Sequence, residues 1–230
     1  MTVELGAPRM ADPETPDPRT RLREVALDLF GRQGVRETST RQILTAAGMR
    51  NPSAISYYFG SKAELVEDLA AELLVVSPVL VRQIELAAGP SPPPADAWTA
   101  IAVDLAVNLV STERGCLLAR LWWEYDGYLR PAVVEEFIGS DRPLARDWMD
   151  AVERTFPLMP RLIAVGRNVT MLRTLEWMIA RRAGRVLTGS PSPALAITTP
   201  PAFRTLLFEV ALGIVTQPTT LTDDDVKFTG

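Results

Sequence analysis

Apolar residues recur along most of this chain at three- and four-residue steps, and alternating apolar-polar runs bounded by Asn-Gly or Asp-Gly turns are missing. The pattern predicts an all-α fold. A first helix is well punctuated, with Asp17 as N-cap, Pro18 at the first helical position, Leu22, Val25, Ala26, Leu29 and Phe30 on one face, and Gly34 as a left-handed cap. A short second helix opens at Ser39 with Gln42 three residues on, a capping box, and stops at Gly48. A third begins at Asn51 with Pro52 in its first turn and runs through Ile55 to Phe59. Ser61 and Glu64 form a second capping box and start a fourth helix, which Pro78 should kink or end. Beyond residue 95 the spacing predicts helices near 95–111, 115–129, 131–155, 160–187 and 201–216, joined in part by the proline-rich stretches 89–94 and 189–201. The last helix carries Phe203, Leu206, Leu207, Val210, Ala211, Ile214 and Val215 but only Arg204 and Glu209 as charges, so it is expected at the centre of a core or in a subunit interface.

Composition removes several chemistries. The chain has no histidine and one cysteine, Cys116, which leaves only carboxylates for a metal site and excludes His-based catalysis and an internal disulfide. No metal, cofactor or catalytic residue is therefore expected. No apolar run approaches the ~18 to 20 residues of a membrane span, and Glu4, Asp12, Glu14 and Asp17 stand where a secretory leader would be basic and then apolar; the expected location is the cytoplasm, with no membrane partner. The net charge of −4 hides an asymmetry. Residues 18–62 hold eight basic side chains against three acidic ones, whereas the other 185 residues hold 16 basic and 25 acidic. A basic module joined to an acidic body is the footprint of a protein that meets a polyanion with one part only, although a local excess of this size also describes an ordinary solvated face.

Three short helices with a glycine turn between the second and third, followed by a long fourth helix, make a helix-turn-helix arrangement. Gly48 suits a tight turn that favours positive φ, and Ile43, Leu44, Ala47, Met49 and Ile55 would lock the two helices at a fixed angle. A plain helical hairpin has the same outline. Side chains on the open side separate the two: Arg50, Asn51, Ser53, Ser56 and Tyr57 lie at the start or along the exposed face of the third helix, where they would reach base edges and phosphates in a major groove. Thr40 and Arg41 from the second helix, and Lys62 in the first turn of the fourth, are placed for phosphate, with charge and free backbone N–H groups acting together. Tyr57 and Tyr58 divide between phosphate contact and packing on the first helix.

The segment from Thr38 to Val66 closely resembles the DNA-binding region of the TetR family of bacterial regulators. Ile43, Ala47, Gly48, Phe59, Lys62 and Leu65 match that family's Ile-Ala-x-x-Ala-Gly turn, its aromatic-x-His-Phe helix end and the following x-x-Lys-x-x-Leu. Three positions depart from it: Leu44 stands where alanine is usual, the stretch from Gly48 to Phe59 is one residue longer than common, and Tyr58 replaces the histidine before Phe59. The strong match covers residues 18–75, about a quarter of the chain.

The resemblance implies a homodimeric, ligand-responsive transcriptional regulator, by family habit a repressor, that binds a partly palindromic double-stranded operator. Residues 1–16, with three prolines, several acids and no periodicity, and residues 217–230, with Asp223, Asp224 and Asp225, read as disordered tails; between them the expected division is a helix-turn-helix domain over 17–62, a connecting helix over 63–88 and, as the resemblance implies, a ligand-binding and dimerisation domain over 89–216. Helices near 160–187 and 201–216 would pair with their copies. Candidate ligand residues are the aromatics concentrated in the body, Trp98, Trp122, Trp123, Tyr125, Trp148 and Trp177, with Arg120, Glu124 and Asp126 available to orient a polar group. Aromatics at helical spacing also build ordinary cores, but the adjacent Trp122 and Trp123 do not both face one interior. The expected effector is small and apolar or aromatic. Two rival readings are a helical enzyme, against which Glu124 and Asp126 point to different helix faces, and a protein–protein adaptor, which has no use for Arg41, Arg50 and Lys62 on one surface.

Overall fold

A computed structural model of the protein describes residues 17–74, 94–125, 150, 152–189 and 199–220. The described residues contain no strand, and eight helices organise them: α1 (Pro18–Gln33), α2 (Thr40–Ala46), α3 (Ala54–Phe59), α4 (Lys62–Leu74), α5 (Ala95–Leu109), α6 (Glu113–Glu124), α7 (Arg161–Thr188) and α8 (Pro200–Thr216). Residues 152–155 are also helical. No helix among the described residues is long and apolar enough to cross a membrane.

Local sequence explains several helix ends. Asp17 Oδ2 accepts from the Thr20 N–H at 3.2 Å and Pro18 follows at the first helical position. At Ser39 the full reciprocal box forms: its hydroxyl accepts from the Gln42 N–H at 3.2 Å, and its own N–H donates to Gln42 Oε1 at 2.7 Å. Gly48 adopts φ +66°, as a tight turn between α2 and α3 demands. Two expectations need correction. Gly34 closes α1 at φ 102°, ψ 153°, an extended backbone with positive φ rather than a left-handed helical cap. The third helix begins at Ala54, not Pro52, because Asn51 spends its side chain on the Ser53 N–H at 3.0 Å and holds a turn ahead of the helix. Pro78 lies outside the described residues.

Two apolar clusters form the interior. One joins α5, α7 and α8 through Trp98, Val103, Met171, Leu175, Phe203 and Leu207, among others. The other centres on Leu22, Leu27, Phe30, Ile43, Ile55, Leu65 and Leu69 of α1–α4, and includes Leu117, Leu118, Leu121 and Tyr125 from α6 and its end. Helix α6 is thus divided lengthwise, since its Cys116 and Ala119 belong to the first cluster. Each of the three leucines it buries against α1–α4 contributes about 1.5–3 kcal/mol. Close approach is possible because α1 carries Gly31 where it meets α6: an added Cβ there would lie 2.5 Å from Leu117 Cδ2 and 2.9 Å from Leu117 Cα. Ion pairs rim this seam. Arg32 of α1 meets Glu113 of α6, and Arg114 of α6 meets Glu24 of α1 at 2.6 Å and Glu72 of α4 at 2.9 Å.

Candidate nucleic-acid interface and effector cleft

The outer side of α2 and α3 is polar because the inner side is fully committed to the core: Ile43, Leu44, Ala54, Ile55 and Phe59 are buried. Thr40, Arg41, Arg50, Asn51, Ser53, Ser56 and Tyr57 are all exposed, and Tyr57 projects with 79% of its surface in solvent. Apart from an edge-on contact with Tyr58, an aromatic standing that far out of a six-residue helix gains little from the fold. Tyr58 is half-buried, packs on the core of α1–α4 and meets the Tyr57 ring edge-on, with centroids 4.9 Å apart. The structure therefore splits the tyrosine pair, holding Tyr58 as a support and presenting Tyr57.

The basic excess is smaller at this surface than counting suggests. Arg19 pairs with Asp68 at 2.7 Å, Arg23 with Asp68 at 2.8 Å and with Glu72 at 2.6 Å, and Arg32 with Asp28 at 2.6 Å as well as with Glu113. These arginines tie α1 to α4 and α6. Arg41 and Arg50 have no ion pair among the described residues and stay exposed beside α3.

Lys62 stands differently from its sequence-based assignment. Its ammonium turns inward, donating to the Val35 carbonyl at 2.5 Å and lying 5.8 Å from the centre of the Phe30 ring. Burial pulls its pKa below the ordinary lysine value, against the opposing charges of Glu37 and Glu124. In this conformation it clasps the α1–α2 turn and is not presented to a phosphate. The same turn is gripped from the other side, where Glu124 Oε2 of α6 accepts the Val35 N–H at 2.6 Å. Val35 is thereby held through both backbone groups, one by the start of α4 and one by the end of α6.

Glu124 also lines a cleft of about 300 Å³ between α6 and α7, together with Arg120, Trp123, Trp177, Arg181 and Arg185. That volume is at the lower end of about 300–1,000 Å³ for small-molecule sites. The Arg181 guanidinium lies 5.4 Å from the centre of the Trp177 ring. The adjacent tryptophans part company: Trp123 faces the cleft, while Trp122 donates its Nε1–H to Glu176 at 3.0 Å and stacks at an angle on Tyr125. Burial raises the Glu176 carboxyl above its ordinary value, with Trp122 and Arg173 acting in the opposite direction.

The remaining aromatics are placed as follows. Trp177 is 40% exposed and reaches the cleft from α7. Tyr125 is buried against the α1–α4 core rather than in the cleft. Trp98 is fully buried in the α5–α7–α8 cluster, where its Nε1 and the Asn168 Oδ1 have no hydrogen-bond partner among the described residues. Trp148 and Asp126 lie outside the described residues. Cys116 is buried with its thiol directed at the Val110 carbonyl, and burial pushes the thiol pKa up, the mark of a packing residue. The cleft arginines Arg181 and Arg185 were absent from the sequence candidates. Their signal was nevertheless present, since Trp177, Arg181 and Arg185 recur at four-residue steps, as Arg120 and Glu124 do on α6.

Residues 22–69 match the sequence profile described as "Bacterial regulatory proteins, tetR family". No curated protein matches the chain in sequence. Among solved structures, NalD, the secondary repressor of the MexAB-OprM multidrug efflux pump in Pseudomonas aeruginosa, is similar at 20% identity and a TM-score of 0.53, over 84% of this chain and 93% of that one. The probable transcriptional regulatory protein RHA5900 is similar at 18% identity and a TM-score of 0.52, over 87% of this chain and 100% of that one. The fatty acid degradation regulator FadR from Bacillus halodurans is similar at 13% identity and a TM-score of 0.51, over 87% and 97% of the two chains. At these identities the likeness is one of fold, and it extends from the helix-turn-helix through the helical body. The N-terminal helices over residues 22–69 thus carry the tetR-family sequence profile, and the chain as a whole shares its fold with these structures.

Proposed function

We propose that this regulator is a cytoplasmic homodimeric repressor that grips a partly palindromic operator and lets go when a small aromatic or apolar effector enters the body. The observation that carries the DNA half is the face formed by Arg41, Arg50, Ser53, Ser56 and Tyr57, where exposed polar groups surround an aromatic that the fold does not need. Dimerisation is supported by α8. Phe203, Leu207, Ala211 and Val215 are buried within the subunit, while Leu206, Phe208, Val210, Leu212 and Ile214 remain partly uncovered along its other sides. Val186 adds exposed apolar surface on α7. A pair of subunits related by a twofold axis would set two α3 helices about 34–36 Å apart, one turn of duplex.

The test is selection of binding sites from random duplexes, followed by a salt series on the selected site and on a scrambled one. Arg50→Ala and Ser53→Ala should each cost about 1–3 kcal/mol on the selected duplex and little on the scrambled one if the side chains touch base edges. Arg41→Ala should weaken both duplexes alike and lower the salt slope by about one unit for each phosphate it no longer neutralises. Unchanged binding in all three variants and in Tyr57→Ala would overturn this interface.

A further inference from the structure

The α6–α7 cleft carries more chemical detail than a general apolar pocket. Arg120, Arg181, Arg185 and the Glu124 carboxylate line it, and Trp123 and Trp177 supply flat walls. Arg120 has no carboxylate partner among the described residues, even though Glu124 stands four residues further along the same helix, the usual spacing for an intrahelical pair. Glu124 is drawn away to the Val35 N–H instead. The Arg120 guanidinium lies across α7 at Gly184, where an added Cβ would come within 2.6 Å of Nη1, so a residue without a side chain makes room for it.

We propose that this cleft is the effector site for a flat aromatic carboxylate, with the carboxylate on Arg120 and the ring between the tryptophans, and that Glu124 communicates its occupancy to the DNA-binding helices. This rests on the proposed effector-released regulator and names the class of its effector. An incoming carboxylate neutralises Arg120 and faces the Glu124 carboxylate across the same cleft. Two like charges in one cleft disfavour each other, and the strain is relieved when Glu124 leaves Val35. Of the two side chains that grip the Val35 peptide groups, Lys62 alone then stays in place. Because linkage is reciprocal, a duplex that requires the gripped turn and an anion that disfavours it must each weaken the other.

The experiment uses the full-length protein and two probes of nearly equal shape, 1-naphthoate and its neutral amide, 1-naphthamide, titrated by calorimetry. Naphthoate should bind at least tenfold tighter than the amide. Arg120→Met should erase that preference, whereas Glu124→Gln, by removing the opposing charge, should tighten naphthoate several-fold. Gly184→Ala should weaken naphthoate through displacement of Arg120 while raising thermal stability, which guards against a variant that merely fails to fold. On a duplex recovered by selection, naphthoate should lower the affinity of the parent protein and leave that of Glu124→Ala unchanged. Equal affinity for the two probes, or a preference that survives Arg120→Met, overturns the site; naphthoate affinity unaltered by Glu124→Gln, or release persisting in Glu124→Ala, overturns the communication. If no selected duplex binds at all, it is the regulator reading that fails, and the calorimetry still judges the cleft.

Discussion

Gly31→Ala tests the seam between α1 and α6. In a helix interior, alanine in place of glycine normally stabilises by about 1 kcal/mol. Here the new Cβ would lie 2.5 Å from Leu117 Cδ2, 2.9 Å from Leu117 Cα and 3.0 Å from Leu117 Cβ, against a comfortable carbon separation of roughly 3.5–4.0 Å. The Cδ2 atom can rotate away. The Cα cannot move without α6, so the two helices must separate by something on the order of half an ångström to one ångström. Overpacking of this kind costs about 1–3 kcal/mol, which offsets the propensity gain and leaves a net destabilisation of up to about 2 kcal/mol. For a chain of this size each kcal/mol lowers Tm by about 2–4 °C. Gly184→Ala supplies the internal control, because its nearest neighbour is the mobile end of Arg120; it should gain stability by about the amount that helix propensity predicts. Thermal unfolding of both variants reads the contrast directly. In the double variant with Leu117→Ala the rescue should be partial, since the Cα and Cβ of residue 117 remain in place. A Gly31→Ala protein as stable as Gly184→Ala would refute the close approach on which this reasoning rests.

Three further outcomes follow from side-chain placement. Lys62→Met should lower stability and leave the salt slope of DNA binding unchanged, because the ammonium is spent on Val35; a slope reduced by about one unit would show that Lys62 swings out to a phosphate. The raised Glu176 carboxyl binds its proton more tightly in the folded state than in the unfolded one. Stability contributed by the protonated form is therefore lost as pH rises from the unfolded carboxylate pKa through the raised folded one, and Glu176→Gln should flatten that part of a stability–pH curve while keeping an acceptor for Trp122; an unchanged slope would mean the carboxyl is not held up by burial. Phe208→Asp, at a half-covered position of α8, should shift the protein to monomer in sedimentation and cost tight operator binding; a persistent dimer would move the interface elsewhere.

What was legible in the sequence was local. Asp17, Ser39 with Gln42, and Gly48 act on backbone groups within a few residues, so their types and spacing suffice to place them. Asn51 shows the limit of that logic, because the same side chain can cap a helix or close a turn, and here the turn wins. Charge was legible as a count but not as a direction. Arg19 and Arg23 find acids 45 to 49 residues away on α4, and Lys62 finds a carbonyl 27 residues back, so part of the apparent DNA-facing excess is internal bonding. The aromatic body was recognised as a region, yet the separate fates of Trp98, Trp122, Trp123 and Trp177 depend on how α6 and α7 turn against each other, which no local pattern encodes.

Helix α6 is where these non-local facts converge. Leu117, Leu118 and Leu121 complete the core of the DNA-binding helices, Cys116 and Ala119 face the body, and Arg120, Trp123 and Glu124 line the cleft. A helix of twelve residues that serves three surfaces cannot rotate or slide to suit one without disturbing the others. Close packing against Gly31 makes that coupling stiff, since interiors at this density reorganise between discrete arrangements and do not deform smoothly. Glu124 then marks the point of highest leverage. It lies at the last turn of α6, beside the cleft, and holds the N–H of Val35, whose carbonyl is held by the first residue of α4. A displacement at the cleft reaches the α1–α2 turn through one side chain and one peptide unit, and α2 begins five residues beyond Val35. On the proposed effector mechanism the seam of α1 with α6 takes part in the response as well as in the core, so substitutions that loosen it should alter effector response and DNA affinity together.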